Sequence, residues 1–262
     1  MQVKIFKFKT PHPLVEEVRE IKADCSSDAL THIVPPLGYP EIIFYVGHLN
    51  QIKNVNCRNG LVKGQYNTVQ KIDFIPNYHF LSIVLKPYGL KQLFGLNAFE
   101  LLNAVIDVEA HEACNSLVAN IKDQPIDSSL ILQLAQHMLE FPTYAVSEVT
   151  KAFIQAVKTA PLDTIKNSAK DLGLGLRTLQ RNFKNEVGLT PSEYLRIIRI
   201  NRIERRLEET SDMFEIIADF DFTDQSHLVK EFKQWRNHAP KAFLRQKLLL
   251  SDQLPAPEYI YL

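Results

Sequence analysis

The sequence predicts an α+β protein, with a β-rich N-terminal half that ends in helices and an all-α C-terminal part. Three observations predict it. In the first hundred residues the apolar positions fall in short runs rich in β-branched and aromatic side chains, broken by Gly and Pro. From about Leu90 the apolar period becomes helical. Finally, an eighteen-residue block, LQRNFKNEVGLTPSEYLR (179–196), returns forty-nine positions later as LVKEFKQWRNHAPKAFLR (228–245), and self-similarity at a fixed spacing marks one supersecondary unit used twice.

The elements follow in order. VKIFKF (3–8) alternates, EIIFYVGHL (41–49) is a short apolar run between Pro40 and a glycine, and FLSIVLKPYG (80–89) is β-branched and closed by Pro87 and Gly89; all three read as strands. LKQLFGL, HEACNSLVANIK (111–122), SSLILQLAQHML (128–139) and AVSEVTKAFIQAV (145–157) have helical spacing, the third capped by Asp127 or Ser128. Ala160-Pro161 interrupts the periodicity, which divides the chain into a regulatory part over 1–160, a unit holding the duplicated block over 161–248, and a tail over 249–262.

The 262 residues carry no formal net charge, yet 161–248 holds 16 Lys+Arg against 13 Asp+Glu, and 165–210 holds 10 against 6. Local sign matters more to a polyanion than the whole-chain sum. Cys25, Cys57 and Cys114 are widely spaced and form no C-x-x-C pair, which suggests a reducing compartment and no thiolate metal site. No apolar run approaches the ~18 residues of a membrane span, and MQVKIFKFKTPHP lacks the continuous core of a signal peptide. These features point to a cytoplasmic protein without a membrane partner.

In the first copy of the unit, Asp163 or Thr164 caps a short helix with Ile165, Ala169 and Leu172 on its apolar side, and Gly173 ends it. A second helix begins at Leu176. Leu176, Leu179, Phe183 and Val187 recur at helical spacing and form a buried face, while Arg177, Gln180, Arg181 and Lys184 fall at i, i+3, i+4 and i+7 on the other side. Ala169, Gly173 and Leu179 have the spacing of a helix-turn-helix: a small residue where the helices cross, a glycine at the turn and an aliphatic lock. Arg suits guanine O6/N7 and Gln suits adenine N6/N7, so the polar face fits a major groove. Thr190-Pro191-Ser192-Glu193 is a capping box with proline at the first helical position. It opens a helix to about Glu209 that spaces the two copies by ~27 Å at 1.5 Å per residue, comparable to the ~34 Å between successive groove faces.

The C-terminal region resembles the DNA-binding domain of the AraC/XylS family of transcriptional regulators. The residues that carry the resemblance are Ala169 with GLG (173–175), RTLQRNFK (177–184), VGLTPSEYL (187–195), the spacer RIIRINRIERRL (196–207), FTDQSHLVKEFK (222–233), Pro240 and Phe243. It implies DNA contacts through Arg177, Gln180 and Arg181 in the first motif and through Gln225, Ser226 and Lys230, with His227 beside them, in the second. Lys184 on the first recognition helix and Arg196 and Arg199 on the spacer add cations for phosphate. The second copy departs from the family pattern, with Ile216-Ile217 and Asp221-Phe222 where Ile-Ala and Gly-Phe are usual. Ile217 should push its helices apart, and Asp219, Asp221 and Asp224 put negative charge near phosphate, so weaker binding is expected there. VPPLGYPEIIFYVG (34–47) and VLKPYGLKQLFGL (84–96) resemble the cupin-like N-terminal domains of some of these regulators.

The resemblance implies double-stranded DNA as partner, with a small-molecule effector, RNA polymerase and a second copy of the chain as further partners. The effector-binding residues stay unassigned. No cofactor, metal or catalytic residue is expected. His12, His32, His48 and His79 form no His-x-His pair and read as structural or surface residues. Ser226-His227 is no dyad, because adjacent residues on a helix face apart. Trp235, at helical spacing with Leu228 and Phe232, reads as core, as do Tyr39, Phe44, Tyr45 and Tyr88. Two alternatives stay open: a ligand-binding or protein-interaction module whose second motif has degenerated, and a cupin-type enzyme, which lacks metal ligands in this sequence.

Overall fold

Side chains on a strand alternate between the two faces of its sheet, and in this protein both faces are covered. The computed structural model describes residues 2–23, 30–47, 51–52, 55–121, 124–159, 175–210, 212–220, 222–244 and 257–262. The strands are β1 (Gln2–Lys7), β2 (Val15–Lys22), β3 (Leu30–Val34), β4 (Glu41–Tyr45), β5 (Gly60–Lys63), β6 (Gln70–Phe74), β7 (His79–Leu85), β8 (Val105–Asp107) and β9 (Glu258–Tyr261). Seven of them form one sheet in the order β8, β5, β4, β7, β2, β1, β9. Neighbours are antiparallel except β1 and β9, which run parallel. β3 and β6 form a separate antiparallel pair.

Every residue of β4 is buried, and alternation divides them: Ile42 and Phe44 enter one core, Ile43 and Tyr45 another. The first core is closed by helices α1 (Gly89–Phe94), α2 (Glu112–Ile121) and α3 (Ser128–Leu139). Asp127 starts α3 by accepting the Leu130 N–H at 3.0 Å, a cap of the expected kind. The second core is closed by the β3–β6 pair, where Phe74 packs on Tyr78 and Phe80 with ring centroids 4.6 and 5.6 Å apart. His12 is buried and structural. Its Nδ1 accepts the Leu14 and Val15 N–H groups at 3.1 and 3.0 Å, which leaves Nε2–H to donate to the Ala135 carbonyl at 3.1 Å. Burial lowers its pKa against the opposing pull of that carbonyl, so the ring is held neutral. His79 meets Glu20 at 2.9 Å. His48 and the side chain of His32 lie outside the described residues.

The C-terminal part is helical: α4 (Glu148–Thr159), α5 (Leu176–Val187), α6 (Pro191–Glu209), α7 (Met213–Asp219) and α8 (Gln225–Arg236). One core runs through all of it, from Phe153 and Val157 through Phe183, Tyr194 and Ile200 to Phe232 and Trp235. Phe183 sits at its centre, edge-on to Phe153 and Tyr194 at 5.3 and 5.4 Å. Two features differ from the divisions read in the sequence. Helix α4 ends just before the expected boundary at 160 but packs its apolar face into the C-terminal core. And the tail returns: residues 258–261 pair with Lys4–Lys7, and Ile260 and Leu262 pack on the N-terminal core. The break expected at Ala160-Pro161 and the short helix expected ahead of α5, with Asp163, Thr164, Ala169, Leu172 and Gly173, lie outside the described residues.

The two parts are joined by specific contacts. Glu16 accepts from Lys158 of α4 at 2.8 and 2.9 Å and from Lys86 at 2.7 Å. Asn67 donates to Glu193 at the start of α6 at 2.9 Å. Gly188, which ends α5 with φ +88°, lies so close to the 98–101 turn that a Cβ there would stand 2.7 Å from the Ala98 carbonyl oxygen.

Candidate nucleic-acid interface

Helix α5 forms because Leu179, Phe183 and Val187 repeat at helical spacing and bury completely. The opposite side is a consequence of that burial: Arg177, Gln180 and Arg181 are exposed, and among the described residues neither arginine is drawn into an ion pair. A guanidinium on the outside of a packed helix, free of an intramolecular partner, keeps all five donors for an external acceptor. Lys184, fourth in the predicted row, differs. It is half-buried, with Nζ 3.7 Å from the centroid of Phe99 in the N-terminal part, so any phosphate must compete with a cation–π contact.

Helix α6 opens with both halves of the capping box. Thr190 Oγ1 accepts the Glu193 N–H at 3.2 Å, and Glu193 Oε2 accepts the Thr190 N–H at 2.8 Å. Partial burial pushes the Glu193 carboxyl up, but the hydrogen bonds from Thr190 and Asn67 and the nearby Lys184 outweigh it and hold it below the usual carboxylate range. Arg196 is exposed one turn on. Arg199, expected at phosphate, is turned inward: its guanidinium lies 3.9 Å from the Phe222 ring, 3.5 Å from Glu231, and donates to the Phe220 carbonyl. It pins α7 and α8 to α6. Arg202 donates to the Val157 and Lys158 carbonyls at the end of α4, where a helix C-terminus favours a cation.

In the second motif, Asp212 caps α7 and Asp224 caps α8, accepting the Phe214 and His227 N–H groups at 2.8 Å. Asp219 is paired with Arg206 at 3.0 Å. Asp224 and Asp219, expected to repel phosphate, are therefore committed to a helix start and an ion pair, while Asp221 lies outside the described residues. Ile217 is half-buried against the shared core, and its carbonyl accepts the Phe222 N–H at 3.0 Å across the turn. Gln225, Ser226, His227 and Lys230 are exposed on the first turns of α8. Arg196 of α6 meets them: with His227, Lys230, Glu231 and Gln234 it lines a surface depression of about 210 Å³. The sequence placed Arg196 on the spacer, and only the crossing of α6 with α8 groups it with His227 and Lys230.

A second feature lies in the N-terminal part. Between the large sheet and the β3–β6 pair is a cavity of about 450 Å³, within the size range of small-molecule sites. Its walls are apolar, with Ile43, Leu61, Ile72, Phe74 and Phe80 among them, and one end is charged. Glu41 there accepts from Lys63 and Ser82, both at 3.0 Å, with Arg19 Nη1 at 4.0 Å. Complete burial pushes the Glu41 carboxyl up, but the two cations and the hydrogen bonds bring it below the usual range. Of the aromatic residues singled out in the sequence, Phe44 and Tyr45 are core and Tyr39 and Tyr88 are half-buried. The aromatic wall is instead Tyr66, Phe74, Tyr78 and Phe80. It is built by pairing two sheets, which single-strand patterning does not reveal. Among the described residues no group of three His, Cys, Asp or Glu side chains is placed to hold a metal ion, and no helix is long and apolar enough to cross a membrane.

Comparison with known proteins gives two family matches: residues 168–246 match a family described as "Helix-turn-helix domain", and residues 12–107 match "Domain of unknown function (DUF6597)". The HTH-type transcriptional activator RhaS of Pectobacterium atrosepticum is 35% identical over 79 residues, which are 30% of this chain and 28% of that protein. This chain thus aligns with less than a third of RhaS. The transcriptional regulatory protein HptR of Staphylococcus aureus is 21% identical over 198 residues, 76% of this chain and 73% of that one. A solved structure of ToxT from Vibrio cholerae aligns with a TM-score of 0.43 at 13% identity, covering 87% of this chain and 97% of that one.

Proposed function

The chain belongs to the AraC/XylS family of transcriptional regulators, and we propose that it is a sequence-specific DNA-binding regulator whose two recognition helices enter neighbouring major grooves of one duplex. One observation carries this reading. Arg177, Gln180 and Arg181 stand exposed on the single face of α5 that the core leaves open, and these side chains read guanine and adenine edges. Gln225, Ser226, His227 and Lys230 serve the second groove, with Arg196 beside them on the phosphate. The 19-residue α6 spaces the helices, by ~28 Å at 1.5 Å per residue. The division at about 160 separates the regulatory part from the DNA-binding part, with α4 serving the core of the latter.

Selection of duplexes from a random pool tests the reading. Recovery of a motif with two half-sites about one helical turn apart is expected; a pool that stays random after several rounds refutes it.

The cavity between the sheets is the proposed site of a small effector with an apolar body and one acceptor or acidic group facing Lys63 and Arg19. Screening small organic acids by thermal shift tests this, with Lys63→Met as the control that should lose the response. RNA polymerase and a second copy of the chain are proposed as further partners, in line with an activator's task, and the cytoplasm as the place of action.

A further inference from the structure

The two recognition helices are attached to the N-terminal part in different ways. The first, α5, is braced directly: Gly188 abuts the Ala98 carbonyl, Lys184 lies on Phe99, and Glu193, just beyond, holds Asn67. The second, α8, is tied to α6 by its last residue, Arg236. That residue is only 2% exposed. It donates to Glu204 at 2.8 Å, to the Trp235 carbonyl at 3.0 Å, and to Oδ1 of Asn201. A buried guanidinium must satisfy its donors with fixed partners, so the end of α8 follows wherever Asn201 and Glu204 go.

Asn201 uses its other end too. Its Nδ2 donates at 3.0 Å to the carbonyl of Leu37, and Leu37, with Val34, lines the cavity. One amide side chain therefore spans from the cavity wall to the base of the second recognition helix. The segment that carries Leu37, Val34-Pro35-Pro36-Leu37-Gly38-Tyr39-Pro40, is suited to move as a piece, because three prolines fix their own φ angles. Gly38 seats that piece on α6: its φ is +82°, and a Cβ there would stand 3.2 Å from Ile198 and 3.3 Å from Tyr194.

We propose that Asn201 is the positioning residue that couples occupancy of the cavity to the placement of the second recognition helix relative to the first. The inference rests on the reading of the cavity as an effector site. A ligand that displaces Leu37 outward pushes on α6 through Asn201 and Gly38. The movement reaches α8 through Arg236, while α5 stays with the 98–101 turn. The output is a change in the spacing or angle of the two heads, and so in affinity for a two-half-site duplex.

A double-mutant cycle tests this. Ile72→Trp places an indole in the cavity from the β6 side, and Val105→Phe does so from β8 should the first variant fail to fold. Asn201→Asp removes the donor to Leu37 while keeping an acceptor for Arg236. Affinity for a duplex selected by the wild-type protein is measured for all four combinations. The readout is the ratio of filled to unfilled cavity in each background, so any direct effect of Asn201→Asp cancels. Filling the cavity is expected to change affinity by about fivefold or more with Asn201 present, and by less than about twofold in the Asn201→Asp background, which lacks the amide donor. An equal change in both backgrounds overturns the relay and leaves the effector site standing. No change in either background, from two folded cavity variants, overturns the coupling itself, and the thermal-shift screen then shows independently whether the cavity binds ligand at all.

Discussion

Replacing Arg181 by Ala tests the DNA contact proposed for it and tells base reading from phosphate binding. The side chain is exposed, and no ion pair among the described residues is lost with it. Arg and Ala are both strong helix formers, so the folded state should change by no more than about 0.5 kcal/mol. Loss of a specific DNA contact costs ~1–3 kcal/mol, which corresponds to roughly a 5- to 150-fold weaker dissociation constant at about 1.4 kcal/mol per tenfold. The salt dependence then says what was lost. A phosphate contact releases counterions, so its removal flattens the slope of log affinity against log salt by about 0.9, whereas loss of a base contact weakens the selected duplex and leaves the slope unchanged. Lys184→Ala is the internal comparison. Its ammonium already has the Phe99 ring as partner, an alternative of ~0.5–2 kcal/mol between the exposed and desolvated limits, so its net contribution on DNA should be smaller than that of Arg181. Fluorescence anisotropy with a selected duplex at several salt concentrations measures both quantities. If Arg181→Ala keeps wild-type affinity and slope across the series, the assignment of α5 as a reading helix is wrong.

Gly188→Ala should destabilise the protein by about 1–2 kcal/mol from its left-handed backbone and by ~1–3 kcal/mol more from the approach to the Ala98 carbonyl; an unchanged midpoint of thermal unfolding refutes that contact. His12 is held neutral by burial, so its folded pKa lies below the unfolded value of about 6.5. The unfolded chain then binds the extra proton first, and stability should be full above that pH and fall as pH drops through it; chemical denaturation at pH 7.5 and 5.5 should show the loss, and His12→Gln should flatten it. Deleting 257–262 should lower the unfolding midpoint, because β1 loses its parallel neighbour and the first core loses Ile260 and Leu262; equal midpoints show that the strand adds nothing.

How much of this was legible in the sequence depends on range. Local signals read true: the Thr190–Glu193 capping box, the Asp127 cap and the Leu179, Phe183 and Val187 face of α5 are determined by residues three or four positions apart, and each formed as its chemistry requires, whereas Leu176, expected on that face, stands exposed at the helix start. The exposed row of Arg177, Gln180 and Arg181 followed from the same periodicity. What was not legible depends on distant pairing. Arg199 looks like Arg196 in sequence, three positions away on the same polar helix. Only the crossing of α6 with α7 and α8 decides that one faces solvent and the other meets Phe222 and Glu231. The aspartates of the second motif read as repulsive because charge was visible and partners were not: Arg206 is 13 positions from Asp219. The strand at 258–261 was missed because a four-residue edge strand has too few residues to show a period, and its partner lies at the opposite end of the chain.

That returning strand changes how the C-terminal part must be regarded. A DNA-binding unit hung on one linker swings with that linker's freedom, and its orientation is set only when DNA arrives. Here α4, which precedes the unit, is tied to Glu16 through Lys158, and the strand that follows it is laced into the edge of the same sheet through Lys9, Leu262 and Lys7. Contacts at Gly188, Glu193 and Asn201 lie between these two ties. The first and last attachments fall on β1, β2 and their connection, in the sheet whose inner face forms one wall of the cavity. For the DNA binding proposed, ordering of the protein beforehand removes part of the entropy cost of holding two heads in register. It also means that a change at the cavity has a framework to act against, since a displaced wall can transmit force only to a unit that is already held elsewhere.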